Sequence, residues 1–352
     1  MSDSNISTFR VVTWNIGGAK FLKLPAKPTE ESPRTREDFR RDLHNALTRL
    51  IHDFKPDVVL LQEIVRFGNP TEELIEIEKI NKLIEIEQKN DGYYYAPCVA
   101  IDTINQSHPQ KWKKYYGDNN WEKDTYLAQG YGILWKKDLK HAAIWDFDGR
   151  DGPNIEKEIV RIETGLFTGS RDTEPRIAVV AHFVIDFDNK PLDIFTINLH
   201  LTTLKGEREG SPDKDIAASK VRQQQLEIVA NGVVSRYNEW VAKQSNHGNR
   251  RPAIWVVGGD FNCMPSAPEI KSLERINFID LNPAKGTGTK GKTFPIEKAT
   301  ITLDYLFAGP AYYSIDPYLA IHATGANPTP LAQYRVSDHF PILADVPIIP
   351  AN

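Results

Sequence analysis

The feature that most constrains the fold is a short apolar segment that ends in polar residues, because this pattern recurs along the chain. The segment IWVVGGDFN at 254–262 has the length and β-branched content of a strand buried on both faces. Gly258 and Gly259 lack side chains, so they let another group approach the backbone closely. Asp260 and Asn262 end the segment, where they could form a turn or a functional site.

The first sixty residues alternate between strand and helix patterns. The segment FRVVTWNIGG at 9–18 predicts a strand that ends at Asn15, and 36–54 places apolar residues at helical spacing. A buried strand is predicted at 58–61, ending at Glu63. This order of strand, helix and strand favours an α/β architecture whose site lies at the strand ends.

The rest of the chain repeats the pattern. Strands are predicted at 131–137, 176–187 and 191–201, and the last two are expected to form an antiparallel hairpin. A helix is predicted at 218–241, and two further strands are predicted in TLDYLFAG and SDHFPILADV. The polar residues at or just beyond these strand ends are Asn15, Glu63, His200, Asp260, Asn262, Asp304, Asp338 and His339.

These polar side chains are expected to share one cleft, because the strands of paired sheets end together at one edge. Carboxylates that gather in a cleft repel one another unless a hard cation neutralises them. Oxygen ligands without cysteine favour Mg²⁺ or Mn²⁺ over zinc. We therefore expect Mg²⁺, or Mn²⁺, as the cofactor.

The composition of the chain excludes several classes of protein. A 352-residue chain with 40% apolar and 26% charged residues is typical of a globular protein, and its net charge of -4 gives no global basic field. Two cysteines, Cys98 and Cys263, make neither a disulfide framework nor a zinc site. Neither a secretory signal nor a transmembrane segment is visible in the sequence, so we expect a cytoplasmic protein. We also expect a monomer.

The motifs TWN, LQE, NLHL, GGDFN, LDYLF and SDHFPI occur in this order between residues 13 and 346. The ordered set resembles the endonuclease/exonuclease/phosphatase superfamily, the group of deoxyribonuclease I-like enzymes. The resemblance implies an α/β (α+β) fold, a four-layered sandwich of two packed mixed β-sheets flanked by helices. Because both ends of the chain contribute motifs to one cleft, we expect a single domain over 1–352, with an insertion at about 65–130.

The resemblance also implies a metal site. Glu63 would be the principal metal carboxylate, supported by Asn15 and Asp338. Some members of the superfamily carry a second acid near the residue that corresponds to Asn15. Here residues 16–18 are Ile-Gly-Gly, so a second metal ligand is not expected at this place.

The resemblance implies catalytic roles for five residues. Asp260 would orient or deprotonate the attacking water, and Asn262 would hold a phosphate oxygen. His200 would bind the phosphate or assist the leaving group. His339 would contact the scissile phosphate, and Asp304 would fix the tautomer of His339.

The surroundings of His200 are less well defined by the sequence. In deoxyribonuclease I-like members the first histidine pairs with a glutamate, and here the nearest candidate is the neutral Gln129. Arg176 opens a strand and could reach a phosphate. Arg222 and Gln225 could brace the cleft, but we interpret them as solvated helix residues.

The motifs indicate a reaction and leave the substrate open. Our first hypothesis is a nuclease or DNA-end phosphodiesterase, because HLTTLKGEREG and RQQQL loosely resemble tyrosyl-DNA phosphodiesterases. The aromatic and lysine-rich segment 93–135 could stack on bases, or it could form a satellite core. The alternatives are a phosphatase or phospholipase acting on inositol phosphates or sphingomyelin, and a binding module that has lost the chemistry.

Overall fold

A computed structural model describes most of both β-sheets and the helices that cover them. The described residues are 7–69, 71–87, 92–102, 126–142, 159–162, 176–187, 190–204, 207–245, 253–275, 278–281, 293–294, 301–310, 319–320 and 336–350.

Thirteen strands and five helices make up the described part of the chain. The strands are β1 Ser7–Asn15, β2 Val58–Gly68, β3 Tyr93–Asp102, β4 Tyr126–Lys136, β5 Lys140–Ala142, β6 Ile159–Ile162, β7 Arg176–Phe187, β8 Lys190–His200, β9 Ala253–Asp260, β10 Ile279–Asp280, β11 Asp304–Pro310, β12 Leu319–Ala320 and β13 Ile342–Pro350. The helices are α1 Gly18–Lys23, α2 Arg36–Phe54, α3 Ile77–Glu87, α4 Pro212–Ser245 and α5 Pro268–Arg275. None of these described helices has the length and apolarity needed to cross a bilayer.

The strands form two mixed sheets. The first sheet has the order β12-β13-β1-β2-β4-β3, in which β1 and β2 are parallel and the other pairs are antiparallel. The second sheet has the order β10-β11-β9-β8-β7-β5, with β6 also paired to β7. Within it β8 and β9 run parallel, and β7 and β8 form the antiparallel pair that the sequence predicts.

The two sheets pack face to face, and helices cover their outer faces. Side chains alternate along β1 and β2, so Val11 and Leu60 enter the core between the sheets while Val12 and Leu61 face the helices. Helices α1, α2 and α3 cover the first sheet, and α4 and α5 contribute apolar side chains to the core of the second. The four-layered sandwich expected from the resemblance is confirmed.

A polar bridge joins the two sheets within the buried core. Gln62 of β2 donates through Nε2 to Asn198 Oδ1 of β8 at 2.7 Å, and Asn198 Nδ2 donates to the carbonyl oxygen of Leu61 at 2.9 Å. Both side chains are fully buried, so these hydrogen bonds replace contacts with water that folding removed. Gln62 and Asn198 lie one and two residues from Glu63 and His200, so the bridge fixes the sheets just below the predicted cleft.

Helix α2 has the bounds that its apolar spacing predicts, 36–54. Its N-terminus is closed by a capping box, in which the Thr35 side chain accepts from the Asp38 backbone N–H and Asp38 accepts from the Thr35 backbone N–H. Its buried face carries Phe39, Leu43 and Leu47, which pack on the first sheet. The helix therefore has both a local start signal and an apolar stripe.

The segment 65–130 supplies a helix and the edge of the first sheet. Strand β3 pairs with β4, and Tyr93 donates its hydroxyl proton to the carbonyl oxygen of Pro56 at 2.6 Å. Tyr94 is half exposed and lies against the Trp135 ring at 5.8 Å. The described aromatic residues thus support the satellite-core interpretation, while the lysine-rich residues 103–125 lie outside the described residues.

The two glycines before Asp260 permit close contact, as the sequence predicts. A Cβ atom at Gly258 would lie 2.7 Å from Leu306 Cδ2, and one at Gly259 would lie 1.8 Å from the carbonyl oxygen of Leu199. Gly259 also has a φ of 153°, which L-residues rarely adopt.

We expect Gly259→Ala to lower the free energy of unfolding by about 3 kcal/mol, because it adds backbone strain and a clash with β8. Gly210→Ala is the matched control: its φ is 87°, but no atom lies within 4 Å of the added Cβ. That control is expected to cost about 1 kcal/mol. Urea unfolding of both variants checks the prediction, and equal losses would contradict it.

Candidate active site

Three of the predicted site residues lie side by side across the second sheet. Strand β8 places His200 opposite Asp260 of β9, and β11 places Asp304 opposite Asp260 on the other side. Residues that are paired across neighbouring strands project to the same face of a sheet. The register of three strands therefore brings the three side chains to one face of the sheet.

Asp260 is the centre of this row. Its Oδ2 atom lies 3.1 Å from Asn15 Nδ2, 3.6 Å from His200 Nε2 and 3.7 Å from His339 Nε2. Its Oδ1 atom accepts a hydrogen bond from the backbone N–H of Asn262 at 2.9 Å. Asp260 is 2% exposed, so these donors provide polar partners for its buried carboxylate.

Glu63 reaches the site through a β-bulge. The sequence predicts that the strand ends at Glu63, and this prediction is wrong: β2 continues to Gly68, and the register with β4 shifts between Gln62 and Ile64. Glu63 is the extra residue and has a φ of 59°. A bulge re-aims a side chain without ending the strand, and strained backbone of this kind concentrates at functional sites.

Asn15 holds two carboxylates together. Its Nδ2 atom donates to Glu63 Oε1 at 3.2 Å and to Asp260 Oδ2 at 3.1 Å, while its Oδ1 atom accepts from the backbone N–H of Gly17. Glu63 Oε2 accepts from the backbone N–H of Ala19 at 2.8 Å. One amide thus bridges an acid from each sheet, which offsets part of their repulsion.

Asp338 approaches the same region through the segment 17–19. Ser337 Oγ lies 2.6 Å from the carbonyl oxygen of Asn15 and 3.2 Å from Asp338 Oδ1. A Cβ atom at Gly17 would lie 3.5 Å from Asp338 Oδ1, and one at Gly18 would lie 1.9 Å from the carbonyl oxygen of Glu63. The two glycines let the chain pass between these residues, where larger side chains would not fit.

His339 and Asp304 form a buried pair. The Nδ1 atom of His339 lies 2.9 Å from Asp304 Oδ2, and its Nε2 atom faces Asp260. Burial lowers the pKa of His339, but the carboxylates of Asp304 and Asp260 outweigh burial and raise it to about 10. Burial raises the pKa of Asp304 to about 6, so the pair is an imidazolium and a carboxylate at neutral pH.

His200 has the opposite electrostatic environment. Burial, the nearby guanidinium of Arg176 and the charge of His339 all lower the pKa of His200 well below its ordinary value. Arg176 Nη1 lies 3.2 Å from His200 Nδ1, and the Tyr131 hydroxyl group donates to the carbonyl oxygen of His200 at 3.3 Å. His200 is therefore a neutral imidazole in a cleft that also holds an imidazolium.

Asn262 is fixed by contacts that the sequence did not suggest. Its φ is 50°, and its Nδ2 atom donates to the carbonyl oxygen of Leu201 at 2.9 Å. Arg208, which sequence analysis missed, has a φ of 63° and donates through Nη1 to the carbonyl oxygen of Asn262 at 2.8 Å. The Arg208 side chain is 30% exposed, so it lies between the site and solvent.

A buried network braces the loop that follows His200. The sequence interpretation of Arg222 and Gln225 as solvated residues is wrong, because they are 3% and 1% exposed. Arg222 donates to Glu207 Oε1 and to Glu269 Oε1, both at 2.7 Å, and Gln225 donates to Thr202 Oγ1 at 2.8 Å. The helical spacing showed an apolar face of α4 but gave no sign of these partners.

The structure brings the eight predicted site residues to one end of the sandwich. Seven are joined by the contacts described above, and Asp338 lies against the segment that links Asn15 to Ala19. Asp260, Asp304 and His339 offer ligand atoms within 4.8 Å of one another and form a candidate metal site. The oxygen-rich donors of the cleft, which include Glu63, fit a hard divalent cation.

Comparisons with known proteins agree with this geometry. The chain matches the model of the Endonuclease/Exonuclease/phosphatase family over residues 12–339. No curated protein sequence matches the chain. Together with the buried cluster of Asp260, Asp304 and His339, which could hold a metal ion, this match defines the class of phosphate-ester hydrolases.

The family match covers most of the sequence, so the chain belongs to the endonuclease/exonuclease/phosphatase family.

The chain also shares its fold with three solved structures. The family member from Bacteroides vulgatus is 15% identical, with 97% of this chain and 98% of that chain covered and a TM-score of 0.50. A member from Beutenbergia cavernae DSM 12333 is also 15% identical, with 98% and 72% covered and a TM-score of 0.56. The human Nocturnin catalytic domain with bound sulfate is 14% identical, with 97% and 94% covered and a TM-score of 0.51. At such identities the likeness shows the fold alone.

Proposed function

We propose that this protein is a divalent-metal-dependent phosphodiesterase that acts on nucleic acid, as a nuclease or as an enzyme of DNA ends. The observation that carries the proposal is the position of Asp260, whose Oδ2 atom faces Asn15, His200 and His339. An acceptor and several donors around one point are what in-line attack of water on a phosphodiester requires.

Each residue has a separate part in this reaction. Asp260 orients the attacking water and accepts its proton. The imidazolium of His339 and the neutral ring of His200 present N–H donors to phosphate oxygens, where negative charge increases in the transition state. Asn262, held by Leu201 and Arg208, is placed to contact a further phosphate oxygen.

Glu63, with Asn15 and Asp338, would hold the divalent cation. The alternative trio of Asp260, Asp304 and His339 is less suited, because Asp304 already contacts Nδ1 of His339, whereas Asp260 faces the other ring nitrogen, Nε2. A cation beside Glu63 supplies Lewis-acid stabilisation of the charge on the phosphate.

A positive side chain beside the cleft supports an anionic substrate larger than a single phosphate. Arg208 contacts Asn262 and has a side chain that is 30% exposed, so it lies between the site and solvent. A nucleic-acid backbone presents neighbouring phosphates that such a residue binds. Inositol polyphosphates share this property, so the substrate test includes them, together with sphingomyelin.

The test measures hydrolysis in the presence of Mg²⁺ or Mn²⁺. A generic bis-aryl phosphodiester is assayed first, to detect any phosphodiesterase activity, and a panel of candidate substrates follows. The panel contains single- and double-stranded DNA, RNA, a 5′-tyrosyl oligonucleotide, inositol polyphosphates and sphingomyelin. We expect turnover of a nucleic-acid substrate, and a loss of about a thousandfold in kcat in Asp260→Asn. Asp57→Asn is the matched control, because Asp57 immediately precedes the start of β2 and contacts Lys136 rather than a residue of the cleft.

Each outcome of the panel decides between the hypotheses. Turnover of inositol polyphosphates or sphingomyelin in preference to nucleic acid would show that the proposed substrate is wrong and that the proposed reaction, phosphoester hydrolysis, is right. Equal turnover in the wild type and Asp260→Asn, or no turnover of any diester, would favour a binding module that has lost the chemistry.

A further inference from the structure

In the hydrogen bond between Arg176 and His200, only Arg176 can be the donor. Arg176 is 4% exposed, His200 is 6% exposed, and Nη1 of the guanidinium lies 3.2 Å from Nδ1 of the imidazole. A guanidinium carries only N–H donors and stays protonated in proteins. His200 Nδ1 must therefore accept this hydrogen bond, which leaves the single proton of the neutral ring on Nε2.

The strand pairing makes this contact a fixed feature of the sheet. Strands β7 and β8 are antiparallel, and Ala178 lies opposite Leu199, so Arg176 and His200 lie at the same end of the two strands. The Tyr131 hydroxyl group also holds the carbonyl oxygen of His200. Because the Tyr131 ring also lies edge-on to the imidazole, at 6.5 Å between centroids, neighbours on both sheets contact the ring.

The proton on Nε2 points to the centre of the site. His200 Nε2 lies 3.6 Å from Asp260 Oδ2, the same atom that His339 Nε2 approaches. His339 has a carboxylate behind its ring, whereas His200 has a guanidinium. Both histidines therefore approach Asp260 Oδ2, but a negative charge lies behind His339 and a positive charge lies behind His200.

The position that the superfamily resemblance suggested for the partner of His200 does not serve that role here. Gln129 is 5% exposed, and its Oε1 atom accepts no hydrogen bond from any residue that the structure describes. Its amide would in any case supply no negative charge to stabilise an imidazolium.

We propose that Arg176 is a positioning residue that holds His200 in the Nε2–H tautomer, so that His200 acts on the substrate phosphate as a neutral hydrogen-bond donor. Proton transfer to the leaving group is then not a role of His200. The role of His200 at the phosphate rests on the proposed function, but the tautomer of His200 can be measured without a substrate.

The direct test is two-dimensional ¹H–¹⁵N NMR of the histidine rings in the full-length wild-type protein at neutral pH. The His200 signals are assigned from their loss in His200→Asn. We expect a protonated Nε2 and an unprotonated Nδ1, and Arg176→Lys is expected to keep this pattern because an ammonium group also only donates. Arg176→Met is expected to give a mixture of tautomers.

Kinetics on the diester substrate provide the second readout. Arg176→Met is expected to lower kcat/KM by about tenfold, because a mixture of tautomers keeps part of the Nε2–H form, whereas complete loss of one transition-state donor would cost about a hundredfold. Arg176→Lys is expected to recover most of that loss. Arg176→Gln is the second variant if the methionine variant does not fold: its amide can either donate to Nδ1 or accept from it, so a mixture of tautomers is expected there too, and an unchanged tautomer would overturn the proposal.

Two results would overturn the proposal: a proton on His200 Nδ1 in the wild type, or an unchanged tautomer in Arg176→Met. A protein with the expected tautomer but no hydrolysis would leave Arg176 as the positioning residue and overturn the proposed function instead. The two claims therefore fail separately.

Discussion

Replacing Glu63 by glutamine is expected to lower kcat/KM on a phosphodiester by about a thousandfold at limiting Mg²⁺. Lewis-acid stabilisation is worth several kcal/mol, and each 1.36 kcal/mol is a factor of ten in rate. The substitution keeps the shape of a side chain that lies at a bulge with a φ of 59°. Steady-state rates across a Mg²⁺ titration measure the effect, and raised Mg²⁺ should recover part of it.

Glu73→Gln is the matched control for this prediction. Glu73 is also a partly buried carboxylate beside β2, but its partner is Arg66 and it lies outside the cleft. We expect its kcat/KM to remain within about twofold of the wild type, as for a substitution that alters only a peripheral ion pair. If both variants lost activity equally, or if Glu63→Gln showed no change in Mg²⁺ dependence, Glu63 would not be a metal ligand.

Replacing Asp304 by asparagine is expected to lower kcat by about a hundredfold to a thousandfold. The carboxylates of Asp304 and Asp260 raise the pKa of His339 to about 10, so its imidazolium persists through neutral pH in the wild type. Without Asp304 the pKa of His339 falls, and the ring loses its proton at a lower pH. The alkaline limb of the pH–rate profile should therefore move to lower pH in Asp304→Asn.

A second buried His–Asp pair provides the control. His182 Nε2 of β7 lies 2.7 Å from Asp193 Oδ1 of β8, and both residues are almost fully buried. Asp193 lies near the start of β8, at the opposite end of that strand from His200. Asp193→Asn removes the same kind of contact and is expected to lower stability while the folded protein keeps its pH profile. If the alkaline limb of the pH–rate profile did not move in Asp304→Asn, or moved equally in both variants, Asp304 would not be the residue that keeps His339 protonated.

The strand pattern predicted much of the site because the end of an apolar strand and the polar residue that follows it are both marked in the local sequence. His200, Asp260 and Asp304 end or begin apolar strands, and the paired strands place them in one row. Asn15 was likewise predicted at the end of β1. The helix at 36–54 was predictable because its apolar spacing and its capping residue agree.

The features that the sequence did not reveal depend on tertiary contacts. The bulge at Glu63 is set by the register between β2 and β4, and nothing in the apolar run marks the extra residue. Arg222 has the residue type of a solvated helix position, but its two acidic partners come from a loop and from another helix. Arg176 was recognised as a strand-opening cation, and only the pairing of β7 with β8 shows that it contacts His200.

In the proposed site, acids and amides from both sheets meet around one divalent cation, beside which Asp260 directs water at phosphorus. Anomalous diffraction from crystals soaked in Mn²⁺ would locate that cation. We expect one strong anomalous peak at the Glu63 carboxylate, next to Asn15 and Asp338. A peak between Asp304 and His339 instead, with none at Glu63, would contradict it.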